Sequence, residues 1–261
     1  MDVLRSLLLI HPTKCAGTSI SKKILELKGC SKNKSNRYSG YSFNRFFQKN
    51  IHYFYTIIHS KGLLLAPVIL IFYFVCLYFK IRNIFKKHLY GLTFNNGSIQ
   101  HFSYKQWKDV KQVDAKTICI GVVCHPQKRI ASSYYFLGYD KHISFLNFVT
   151  QIKNETLLSS IKFVGFKAII KQHIISISDY FVDEYEKCAA NFIFKQESLN
   201  DDWFAFCKKY NIEHTSLSHI NKTKSNSNWK QLYNEYPQAS KIVYDLYKKD
   251  FEAFNYKLVS F

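Results

Sequence analysis

The feature that most constrains this chain is a junction near its start. Residues 3–10 (VLRSLLLI) form an apolar run of strand length, closed by His11-Pro12. Thr13-Lys14-Cys15-Ala16-Gly17-Thr18-Ser19 follows, and beyond it Ile20, Ile24 and Leu27 fall at helical spacing. The pattern predicts a buried strand, a loop of small residues and an amphipathic helix. A helix N-terminus presents unpaired N–H groups and the positive end of the helix dipole, so such a junction is a ready anion site. Ala16 and Gly17 would let the backbone approach an oxyanion, Lys14 supplies a mobile charge, and Thr18 and Ser19 add hydroxyl donors. The plainer alternative is a strand–turn–helix in which Thr18 and Ser19 only cap the helix. It is not a Walker A loop, because Lys14 precedes Gly17 by three residues instead of following a glycine.

The same order of signals recurs. Residues 117–123 (TICIGVV) read as a second buried strand, reach a second His-Pro pair at His125-Pro126, and lead into a helical stretch over 129–137. A third short strand is predicted at 191–194, followed by Glu197 and a helix from about 200 to 210. Ile242, Val243, Leu246, Tyr247 and Phe254 recur at intervals that predict a final amphipathic helix. Strands alternating with helices imply an α/β fold with a largely parallel central sheet flanked by helices, in one domain over residues 1–261.

Composition narrows the partners. With 37 Lys plus Arg against 18 Asp plus Glu the net charge is +19, a field that draws polyanions. Zinc-finger spacing, a basic region with heptads and an aromatic RNA-binding strand are all missing, so nucleic acid is not an expected partner. The seven cysteines contain no CxxC pair, which argues against a disulfide framework or a zinc site. No His/Asp/Glu grouping has ligand spacing, so no metal is expected. Cys15 and Cys124 are not read as a redox pair. Reduced thiols, and the lack of a secretory segment ahead of the first strand, lead to the expectation of a cytoplasmic protein.

One stretch departs from a plain globular pattern. Residues 63–79 (LLLAPVILIFYFVCLYF) carry no charge and are followed by Lys80, Arg82, Lys86 and Lys87. They form the heart of a hydrophobic and basic helical insertion over about 45–88, at the lower limit of what spans a bilayer.

Several motifs together resemble a known family. HPTKCAGTS is similar to the 5′-phosphosulfate loop of carbohydrate sulfotransferases (bacterial-type sulfotransferase family 2), with Pro12 and Thr13 one step out of phase. Ser98-Ile99-Gln100-His101-Phe102-Ser103 resembles that family's L-Q-H-L-[TS] stretch, and Val123 through Tyr134 (VCHPQKRIASSY) resembles its 3′-phosphate block. Phe194 through Leu199 (FKQESL), His219 through Thr223 (HINKT) and Leu246 through Phe251 (LYKKDF) resemble three later blocks. The likeness spans most of the chain outside about 30–88.

The resemblance implies a P-loop-like sulfotransferase fold that takes a sulfuryl group from 3′-phosphoadenosine 5′-phosphosulfate (PAPS) to a hydroxyl of a carbohydrate, a polysaccharide or lipid-linked glycan, without a metal. It implies that Lys14 stabilises the leaving phosphate. The backbone of Cys15, Ala16, Gly17, Thr18 and Ser19 would hold the 5′-phosphate, and Ser132 would donate to the 3′-phosphate. Arg129 matches the family's second arginine, a structural ion-pair partner, while Cys124 stands where the family has an arginine on the 3′-phosphate. Losing that fork should weaken donor binding. His101 is the expected general base, with a structural histidine as its alternative; His125 reads as a loop-packing residue and Glu197 as an anchor of the strand's end. Because 11–19 and 123–132 must meet on one donor molecule, residues 63–79 are expected to attach the protein to the inner face of a membrane, against anionic lipid, without crossing it; the plainer alternative is a fully buried core helix. A sulfotransferase-like binding protein without turnover and a P-loop kinase are the alternative functions.

Overall fold

A computed structural model of the chain describes residues 6–27, 101–109, 113–162, 164–213, 216–217 and 229–260. In it β1 (Leu7–Ile10), β2 (Ile118–Val123) and β3 (Phe192–Lys195) pair in parallel, in the order β1-β2-β3. Leu7 lies opposite Ile118 and Ile10 opposite Gly121, while Ile120 lies opposite Phe192. β2 is central and buried from Cys119 onward, which explains its unbroken apolar run. Gly121 has a packing reason: a Cβ there would stand 2.2 Å from the Phe181 ring, which therefore lies directly on the sheet.

The described helices are α1 (Gly17–Leu27), α2 (Tyr104–Asp109), α3 (Pro126–Phe136), α4 (Phe145–Lys153), α5 (Thr156–Ser159), α6 (Val164–Ile174), α7 (Leu199–Tyr210), α8 (Trp229–Glu235), α9 (Pro237–Leu246) and α10 (Lys248–Ala253). The core has two parts. One surrounds the sheet and includes Ile10, Ile20, Ile120, Phe194, Trp203 and Phe206. The other lies among the helices, with Ile130, Phe145, Phe148, Tyr233, Val243 and Phe251. Full burial of such a side chain is worth about 1.5–3 kcal/mol. The packing of Trp203 and Phe206 on Phe194 thus holds α7 to β3 more strongly than the single hydrogen bond from Lys195 N–H to Asp202, worth about 1 kcal/mol.

The α/β class and the parallel sheet agree with the sequence reading. The final helix does not: it is two helices, α9 and α10, broken at Tyr247 (φ −115°, ψ 22°). The Tyr247 hydroxyl donates to the Ile174 carbonyl, and the Asp250 carboxylate accepts from the N–H groups of Ile177 and Ser178. The two residues are fastened to the last residue of α6 and to the segment after it, a demand that periodicity does not reveal. The expected insertion over about 45–88, with its apolar run 63–79, and the motif residues 98–100 and 219–223 lie outside the described residues. Among the described residues no helix is long and apolar enough to cross a membrane.

Candidate active site

Parallel strands put their carboxyl ends on one edge, the edge at which open α/β sheets take ligands. Here that edge carries the loop of residues 11–16 after β1, Cys124 and His125 after β2, and the turn Gln196–Ser198 after β3.

The first loop has an unusual backbone. Lys14 (φ 66°) and Ala16 (φ 61°) are both left-handed, which costs roughly 1–2 kcal/mol for each residue bearing a Cβ. Ser19 N–H bonds the Ala16 carbonyl at 3.1 Å. The N–H groups of Cys15, Ala16, Gly17 and Thr18 meet no acceptor among the described residues. These are the donors that a helix start leaves for an anion.

Arg129 of α3 holds this loop from below. Only 1% exposed, it donates from Nε to the Thr13 carbonyl (3.2 Å), from Nη1 to the Ile175 carbonyl (2.6 Å) and from Nη2 to the Gln172 carbonyl (3.1 Å). Thr13 Oγ1 and the Tyr180 hydroxyl donate to that same Gln172 carbonyl at 2.9 and 2.6 Å. A buried charge is tolerated only when its donors are satisfied. Among the described residues no carboxylate ion-pairs with Arg129; carbonyls take that place, and Asp250 contributes through its charge alone. Arg129 thus ties Thr13 to the end of α6 and fixes where Lys14 begins.

Around Lys14 stand three imidazoles and one phenyl ring. The His11 ring covers the start of α1, where a Cβ on Gly17 would meet it at 2.0 Å. His101 lies edge-on to His11 at 4.8 Å, and its Nδ1 is 2.7 Å from the His11 carbonyl. A carbonyl can only accept, so the proton sits on Nδ1 and the lone pair on Nε2. His173 meets His101 at 6.4 Å and stacks on Phe136 at 4.9 Å, and the Lys14 ammonium lies 4.3 Å from the centre of the Phe136 ring. Among the described residues no group of three or more His, Cys, Asp or Glu could hold a metal.

Burial governs the charges. It pulls His101 down to about 4, opposed by its bond to the His11 carbonyl and helped by the charges of Arg129 and Lys14. It holds His11 and His173 well below the ordinary histidine value and lowers Lys14, the latter opposed by the Cys124 and Cys15 thiols. All three imidazoles are therefore neutral near pH 7.

The structure brings the first loop, His101, Cys124 and α3 together. Cys124 is fully buried, its Sγ 3.0 Å from that of Cys15 and 3.8 Å from the Lys14 carbonyl. Ser133, the buried hydroxyl of α3, donates to the His173 carbonyl, whereas Ser132 beside it is half-buried and its hydroxyl bonds no described residue. Glu197 accepts from His125 N–H (3.1 Å) and the Tyr256 hydroxyl (2.8 Å), so it fastens the end of β3 to that of β2. His125 packs between Trp229, Phe251 and Tyr256. Phe136, Gln172 and His173 were not anticipated at the site. The one hint in sequence is that Gln172 and His173 stand between Ile169-Ile170 and Ile174 in the apolar stripe at the end of α6, beside exposed Lys171.

No family model, curated protein or solved structure matches this chain.

Proposed function

We propose that the protein is a sulfotransferase with a P-loop-like fold, moving a sulfuryl group from PAPS to a hydroxyl of a carbohydrate. The observation that carries this reading is the loop after β1: left-handed Lys14 and Ala16, N–H groups without described acceptors, and a lysine at the mouth of a helix N-terminus. These features suit an anionic phosphosulfate.

In this reading the backbone of Cys15 to Ser19 holds the 5′-phosphate. The acceptor oxygen attacks sulfur, the bond from sulfur to the bridging oxygen breaks, and Lys14 stabilises the charge that develops on the leaving phosphate. His101 takes the acceptor's proton on Nε2, the nitrogen left with a lone pair by the bond at Nδ1. At about 4 it is a weak base, held there by burial and by two cations. A polyanionic donor against Lys14 offsets the cationic part of that shift, the smaller part beside burial, and so moves His101 upward. Ser132 donates to the 3′-phosphate. Attachment of residues 63–79 to an anionic membrane on its cytoplasmic side would hold a lipid-linked glycan near the loop.

A second reading has a specific observation behind it. Cys124 is buried against Cys15 and supplies no cation for the 3′-phosphate, which suits a protein that binds the nucleotide without turning it over. One assay separates the two: incubation with sulfur-labelled PAPS and a panel of free and lipid-linked glycans, alongside direct PAPS binding. Label on a glycan supports the enzyme, binding alone supports the second reading, and neither sinks both.

A further inference from the structure

We propose that Cys15 and Cys124 form a reversible disulfide that locks the loop after β1 to the end of β2. The proposal stands apart from the transfer reading, which uses neither thiol as a reacting group.

The geometry is close to the product. The sulfurs are 3.0 Å apart and a disulfide measures about 2.04 Å, so closure needs a combined movement of about 1 Å. Among the described cysteines they are the one pair in contact, and both are fully buried. Their other polar neighbours are weak acceptors for a thiol: the Thr13 carbonyl at 3.5 Å from Cys15 and the Lys14 carbonyl at 3.8 Å from Cys124. Cys15 also sits between two left-handed residues, Lys14 and Ala16, in a backbone that already holds strain and has somewhere to release it. Burial holds the Cys124 thiol well above its ordinary value, opposed by the charge of Arg129, so the thiolate that begins the reaction forms when local opening admits solvent.

The oxidant is hydrogen peroxide, small enough to enter when the loop opens locally, and the proton given up by the attacking thiol goes to the hydroxide it releases. One thiolate attacks a peroxide oxygen, the O–O bond breaks, and a sulfenic acid and water form. The second sulfur then attacks the sulfenic sulfur; its S–O bond breaks, and the hydroxyl leaves with the thiol's proton as a second water. Two electrons pass from the sulfurs to the peroxide, and a dithiol returns them. The closed bond fixes Cys15, the residue after Lys14, to Cys124 just past the end of β2, so anion access to the loop changes with redox state.

The test uses the full chain, purified reduced and then treated with hydrogen peroxide. Remaining thiols are alkylated under denaturing conditions and the non-reduced digest is mapped. The expected product is a peptide pair joined at Cys15 and Cys124, lighter by two hydrogens and separated by dithiothreitol. The thermal midpoint should rise by several degrees on oxidation, because the bond closes a long loop of the unfolded chain. Cys124→Ser should lose both effects, and the wild-type map alone decides the matter if that variant does not fold. Exposed Cys188 reports whether the oxidant acted. Cys15 and Cys124 both alkylated in samples where Cys188 is oxidised, or either joined to another cysteine, would overturn the proposal. Neither result depends on PAPS, so the transfer reading stands or falls separately.

Discussion

The chain uses the dipeptide His-Pro at the end of two neighbouring strands and obtains two different structures. After β2, Pro126 enters α3 at once, where its fixed φ suits the first turn and its missing N–H costs nothing. The His125 ring is then pinned: Nε2–H donates to the Lys257 carbonyl at 2.9 Å and the ring stacks on Trp229. After β1, residues 13–16 intervene between Pro12 and the helix, two of them left-handed. The His11 ring turns onto Gly17, and the helix start keeps its N–H groups. The spacing between strand end and helix, not the dipeptide, separates a structural pin from a binding loop.

The sharpest way to break this comparison is to exchange a lysine at each junction. Lys14→Ala should lower sulfuryl transfer by about 10²–10³, the usual loss for a preorganised group on developing charge. Lys128→Ala, 4.0 Å from Glu197 at the second junction, should change it little. Equal losses in labelled-PAPS assays would mean that the junctions do not differ in function.

Next in size is the support beneath the first loop. Arg129→Met removes the donors of the Thr13 and Ile175 carbonyls, at about 1–3 kcal/mol for each buried group left unsatisfied, while the Gln172 carbonyl keeps the Thr13 and Tyr180 hydroxyls. Denaturant unfolding should show a loss of about 3 kcal/mol or more, with Arg129→Lys recovering only part because one ammonium cannot span the fork. A loss below about 1 kcal/mol would show that the loop is held elsewhere.

Gly17→Ala should cost about 1–3 kcal/mol, since the new methyl must displace the His11 ring. Pairing it with His11→Ala should recover most of that loss. If the double variant is no better than the sum of the singles, the contact is not the cause.

The most gradual effect expected, small at any one pH near neutrality, is on the pH dependence of stability. His101 sits near 4 in the folded protein against about 6.5 unfolded. Below about pH 6.5 the unfolded chain takes up a proton that the folded chain refuses, so stability falls from about pH 6.5 toward 4. For this ring the slope is at most about 1.4 kcal/mol per pH unit, and His11 and His173 act in the same direction. His101→Gln should flatten the slope; an unchanged profile would place the acid sensitivity elsewhere.

The strands were legible because each is a short apolar run between turn signals: β2 and β3 lie within one residue of the expected bounds, and β1 occupies Leu7–Ile10 of the expected 3–10. The start of α3 at Pro126, three residues ahead of the apolar pattern, follows from proline's fitness for a first helical turn. Helices α4 to α6 were not read at all, although Ser144 caps α4 by accepting from Asn147 N–H. Lys14 and its loop were visible because one stretch of sequence contains them. The cradle was not: Gln172 lies 159 residues from Thr13, and Phe136 and His173 reach Lys14 only once α3 and α6 pack against each other. A left-handed Lys14 was unreadable for a different reason, since lysine has no local preference for it and long-range bonds impose it.

The strand order also bears on how the chain is born. β1 pairs with β2, more than a hundred residues further along. At about 5–20 residues per second, translation leaves Leu7 to Ile10 without this partner strand for on the order of ten seconds. The tripod of loop, sheet and α3 cannot close before residue 129 has emerged. Until then a sticky tetrapeptide of three leucines and an isoleucine must be shielded by the ribosome, a chaperone or its own nascent chain. Pauses or rare codons between residues 28 and 118 would therefore be felt at the N-terminus, far from where they occur.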